Sequence, residues 1–159
     1  MAFAAVPADI AALGSSFDAT PEMAAWARDK LTSVPPEQRG QRLFELLRAE
    51  KRAGRIVADK DNAPKARAPK TAADLFRVMT TGQGDKHAGC YELTVLFVAL
   101  GRAVGLDAVG VERDNTVGTG QVGHVLAGVL TALGLELFDL QNDTTNPRIT
   151  PRELEDAEL

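Results

Sequence analysis

Cys90, His124 and Asp139 are a thiol, an imidazole and a carboxylate, in that order along the chain. Those three types can share one reaction. The imidazole draws the thiol proton, the thiolate attacks a carbonyl carbon, and the carboxylate fixes the ring tautomer. Cys90 is the only cysteine, and it stands after Gly89, where polar loop residues give way to a long apolar run. A helix starting there would favour a thiolate through its unpaired N–H groups and the positive end of its dipole. His124 lies in the apolar run VGHVLAGVL, and Asp139 stands between Phe138 and Leu140, where an acid is costly without a partner. Each also has an ordinary explanation: an inert buried thiol, a core histidine, a salt-bridged acid.

Other residues compete for roles. Gln83 and Gln121 precede Cys90 and His124 and are candidate oxyanion donors or plain loop residues. His87, with Cys90, His124 and Asp139, makes up a possible mixed zinc ligand set. Glu92 reads as a first-turn acid that suits the helix dipole, and Tyr91 as a packing residue.

The elements that must position these groups follow from pattern. Leu93, Leu96, Phe97, Leu100 and Val104 recur at three- and four-residue steps, predicting a buried helix over Tyr91–Val104 that Gly105 stops in a left-handed conformation. Upstream, a short helix is expected at Pro7–Leu13. Thr20 caps a helix over Pro21–Leu31, Glu37–Arg52 forms the next, and Thr71 with Asp74 starts one through Met79. Residues 53–70 have no sustained period and hold several Lys and Arg, so they read as a surface loop, with contact to an acidic partner or closure over a substrate cleft as the other readings.

After Gly105 the period changes. Leu106–Glu112, Val122–Thr131 and Leu135–Leu140 read as strands, with Arg113–Gln121 as a polar loop, 143–159 as a C-terminal tail, and a short helix over Pro151–Ala157. If the last hairpin turns between Ala132 and Leu133, His124 faces Gln141 and lies diagonal to Asp139 on one sheet face. The fold class is therefore α+β. A central helix carrying Cys90 at its N-terminus lies on a small antiparallel sheet, in one domain spanning 1–159.

Composition sets bounds. The chain has 159 residues, enough for one ordinary core, and a net charge of −4 that argues against nucleic acid as a partner. No run is long enough to span a membrane, no basic residue precedes the Ala-rich start, and one cysteine fits a reducing compartment, so a cytoplasmic protein is expected.

The runs GDKHAGCYELTVLFVALGRAVGLDAVGV, GHVLAGVL and LELFDL together resemble the transglutaminase-like superfamily, a circularly rearranged relative of papain. The resemblance covers about residues 71–142. It implies a papain-like Cys-His-Asp site at Cys90, His124 and Asp139, without cofactor or metal. The implied activity is acyl transfer or hydrolysis on peptide or glutamine amides through a thioester, with a protein or peptide as substrate. Val125-Leu126 follow His124 where the family often carries an aromatic residue. A non-catalytic module of the same fold, holding a protein partner, is the alternative.

Overall fold

The computed structural model describes residues 17–59, 69–113 and 124–145. The chain order is α1 (Pro21–Leu31), a 3-10 turn (Pro36–Gln38), α2 (Arg39–Arg52), β1 (Val57–Ala58), α3 (Ala72–Thr81), β2 (His87–Ala88), α4 (Cys90–Ala103), β3 (Ala108–Arg113), β4 (His124–Thr131), β5 (Gly134–Asp139) and β6 (Thr144–Thr145). The expected helices at Pro7–Leu13 and Pro151–Ala157, the 113–121 loop beyond Arg113, and Gln121 fall outside the described residues.

Local chemistry accounts for the helix ends. Thr20 caps α1, with Pro21 in its first turn, and Thr71 caps α3 by accepting the Asp74 N–H at 3.1 Å. At the other end of α4, Gly105 adopts φ 83, its N–H bonds to the Arg102 carbonyl, and the Leu106 N–H bonds to that of Gly101. This paired closure needs a left-handed residue, which glycine adopts without strain.

Helix α4 runs through the middle of the molecule, and every residue from Glu92 to Gly101 is buried. It meets α1, α2 and α3 on one side and strands β3 and β4 on the other. Leu43, Phe44 and Leu47 of α2 are buried in the same core as Leu93, Leu96 and Phe97 of α4. Burial of each such side chain stabilises the fold by about 1.5–3 kcal/mol before entropy is counted. The Arg39 guanidinium ties the ends of two helices together by donating to the carbonyls of Leu31, Thr32, Val34 and Val104.

The main sheet is antiparallel, in the order β3-β4-β5-β6. The architecture is α+β, with the Cys90 helix against a four-stranded antiparallel sheet, as the change of period predicts. The surface-loop reading of 53–70 does not hold at its start. Ile56 is fully buried, and Val57–Ala58 pairs in parallel with His87–Ala88. Two residues are too few to show a period, and the partner strand lies about thirty residues away.

Candidate active site

Cys90 is the first residue of α4, and its thiol is free and half-buried. Gly89 has no side chain to cap the helix. The Glu92 carboxylate does so instead, accepting the Gly89 N–H at 3.1 Å and the Lys70 N–H at 2.8 Å. The Lys70 ammonium lies 3.5 Å from Glu92, and it also reaches Asp85 at 3.0 Å and the His87 carbonyl at 2.7 Å. The residues leading into Cys90 are thus fastened at several points.

His124 opens β4 and Asp139 ends β5. The β4–β5 hairpin closes with Thr131 opposite Gly134 and Ala127 opposite Phe138, which is the register centred between Ala132 and Leu133. Continued outward, it sets Asp139 diagonal to His124 on one sheet face. Their side chains meet there, His124 Nε2 lying 2.8 Å from Asp139 Oδ2, and both residues are buried.

The Asp139 carboxylate is held on both oxygens. Oδ1 accepts the backbone N–H groups of Gln141 at 3.2 Å and Asn142 at 3.1 Å, while Oδ2 accepts Asn142 Nδ2 at 2.9 Å besides His124. Burial pushes this carboxyl up, but the hydrogen bonds from His124 and Asn142 outweigh it and hold it below its ordinary value.

The Cys90 thiol lies near enough to the His124 ring for each group to shift the titration of the other. With Nε2 committed to Asp139, Nδ1 is the ring nitrogen left for sulfur. The hydrogen bond to Asp139, then the influence of the nearby Cys90 thiol, overcome burial and raise the imidazole to about 9. Burial pushes the Cys90 thiol up, but the nearby His124 ring, the Val125 backbone and the His124 charge together bring it below its ordinary value. Both shifts move the proton from sulfur to nitrogen.

The remaining candidates lie elsewhere. Gln83 is exposed in the turn after α3, its backbone N–H on Thr81 Oγ1. His87 Nδ1 faces Asp59 Oδ1 at 3.4 Å, and among the described residues no cluster of three or more His, Cys, Asp and Glu side chains is arranged to hold a metal. Tyr91 packs against the core as expected. Three contributors go beyond what pattern reading assigns: Glu92 as the cap of the Cys90 helix, Lys70 behind it, and Asn142 on Asp139. The spacing Gly89-x-x-Glu92 is a half capping box, and an Asp followed three residues later by Asn is turn chemistry, so faint signals for Glu92 and Asn142 exist.

A cysteine at a helix mouth, close to a histidine that an acid holds, supplies the residue types that a nucleophile and its base require. No family model, curated protein or solved structure matches the chain. Among the described residues no helix is long and apolar enough to cross a membrane.

Proposed function

We propose that this chain is a cysteine-dependent acyl-transfer enzyme of transglutaminase-like, papain-like fold acting on peptide or glutamine amides. The observation that carries the reading is the buried His124–Asp139 pair at 2.8 Å, with the Cys90 thiol at the helix mouth near enough for it and the ring to shift each other's titration.

The Cys90 thiolate attacks the amide carbonyl, and the C–O electron pair moves onto oxygen. The backbone N–H of Cys90, in the first helical turn, is the donor for that oxyanion. The oxyanion collapses, the C–N bond breaks, and the His124 imidazolium gives its proton to the leaving amine. A thioester and a neutral imidazole remain. Water or a second amine then attacks the thioester while His124 takes its proton, and sulfur leaves as thiolate. Water yields a carboxylic acid, as in a protease, amidase or deamidase; an amine yields a new amide. Asp139 keeps Nε2 protonated throughout, so that Nδ1 faces the reacting atoms.

The test is the pH dependence of Cys90 alkylation by iodoacetamide in the intact protein and in His124→Ala. The reading expects a thiolate that reacts well below pH 7 and loses that advantage in the variant. A rate that rises only near the ordinary thiol value in both proteins would overturn the ion pair. It would leave the partner-holding module of the same fold as the better account.

A further inference from the structure

We propose that Asn142 is a positioning residue for the Cys90–His124 pair, acting through Asp139; this rests on the acyl-transfer reading of the same site. Asn142 touches both oxygens of the carboxylate: its side-chain Nδ2 lies 2.9 Å from Oδ2, and its backbone N–H lies 3.1 Å from Oδ1. Oδ2 is also the oxygen that receives His124 Nε2 at 2.8 Å. An ionised carboxylate only accepts, so the amide must present its NH2 edge there. A carboxylate held by the imidazole alone is free to turn about its last torsion. The two Asn142 contacts, one on each oxygen, join the Gln141 N–H on Oδ1 in removing that freedom, and the side-chain amide is the donor that holds Oδ2 beside His124.

The turn that carries Asn142 is itself braced from two distant segments. Lys51, at the end of α2, donates to the Leu140 carbonyl and pairs with Asp143 at 2.7 Å. The Gln141 side-chain amide donates to the carbonyl of Asp59, whose own N–H bonds to Ala88, two residues before Cys90. The turn beside Asp139 is therefore tied to the segment that leads into the thiol. Asp143 takes φ 57 within it, so the backbone here is set by these contacts and not by extended geometry.

Asn142 is exposed as a residue, so replacing it removes the donor without opening the core. Asn142→Leu keeps the approximate shape and deletes the amide; Asn142→Gln keeps an amide one carbon further out. Two readouts are made on the full chain: the iodoacetamide pH profile of Cys90, and the titration of His124 followed by NMR. In Asn142→Leu the alkylation midpoint is expected to rise by roughly half a pH unit or more, and the His124 midpoint to fall in step. Asn142→Gln is expected to recover part of both shifts, with the urea midpoint little changed. Asn142→Ala serves as the second donor-free variant should the leucine disturb the fold.

Profiles of both donor-free variants that superimpose on the wild type would overturn the positioning role while leaving the ion pair standing. A shift left uncorrected in Asn142→Gln and matched to lost stability would reduce Asn142 to a structural residue. A wild-type thiol that titrates normally would overturn the acyl-transfer reading first, and this inference with it.

Discussion

The Glu92 carboxylate accepts the backbone N–H of Lys70, 22 residues earlier in the chain, at 2.8 Å, and that of Gly89 at 3.1 Å. One buried acid therefore fastens both the entry to α3 and the start of the Cys90 helix. Glu92→Ala removes the acceptor from both N–H groups, and hydrogen bonds to a charged group contribute about 1.5–3 kcal/mol each. A loss in that range or above is expected in urea unfolding. Glu92→Gln keeps one acceptor oxygen and is expected to lose roughly half as much. Equal losses in the two variants would mean that the charge facing Lys70 Nζ at 3.5 Å, and not the acceptor geometry, holds this corner.

The contrast between His124–Asp139 and Glu92–Lys70 explains what could be read in advance. A strand has a side-chain period of two, so one assumption about the turn at Ala132-Leu133 fixes which residues meet across the hairpin. The observed register agrees with that assumption. Likewise, a cysteine at the junction of a polar loop and an apolar three-and-four pattern marks a helix start. Contacts between segments far apart leave no such trace. The β1–β2 pair is two residues long, and Lys70 carries no mark that its backbone N–H will meet an acid in α4. Ile56 belongs to the short apolar run Ile56-Val57-Ala58 in a basic stretch, too short to show a period, and only the tertiary fold makes it core.

Lys51 links α2 to the turn after β5 by donating to the Leu140 carbonyl and pairing with Asp143 at 2.7 Å, and its side chain is 10% exposed. Burial strengthens such a pair relative to one in open solvent. Lys51→Met keeps the aliphatic stem and removes the charge, and is expected to cost about 1–2 kcal/mol. The informative measurement is amide hydrogen exchange at Gln141 and Asn142, whose N–H groups bond to Asp139. Protection there should fall more than in the helix core. Unchanged protection at both positions would show that the Asp139 carboxylate holds the turn without help from α2.

Gly40 of α2 packs against Phe138 of β5 and Val129 of β4. A Cβ on it would lie 3.3 Å from the Phe138 ring and 3.4 Å from Val129. For Gly40→Ala, a gain of up to about 1 kcal/mol in helix propensity offsets the tight contact, so little net change is expected. Gly40→Leu overfills the gap and is expected to cost about 1–3 kcal/mol. Phe138 immediately precedes Asp139, so the leucine variant should also raise the pH midpoint of Cys90 alkylation, whereas the alanine variant should not. A leucine variant that loses stability yet keeps the wild-type profile would show that the site is insulated from this packing layer.

The sharpest test of the charge pair is stability against pH. His124 sits at about 9 in the fold against an ordinary 6.5, so its contribution is complete below 6.5 and is lost as pH rises toward 9. Cys90 has the opposite sign. Its folded value is lowered, so its contribution is present above the ordinary thiol value and is lost as pH falls through the folded one. Above 6.5, and between the lowered thiol value in the fold and the ordinary one, the unfolded chain carries one proton on sulfur and the paired site carries one on nitrogen. The counts match, and wild-type stability should be nearly level across that window. Serine does not titrate here, so Cys90→Ser leaves only the imidazolium on Asp139. Its stability should fall from about pH 6.5 upward, by about 1–2 kcal/mol near pH 9 once solvent screening is allowed for. Urea unfolding of both proteins at half-unit steps decides the matter. A serine variant as level as the wild type would mean that Asp139 does not hold an imidazolium, and a wild type that slopes like the serine variant would mean that Cys90 keeps its proton.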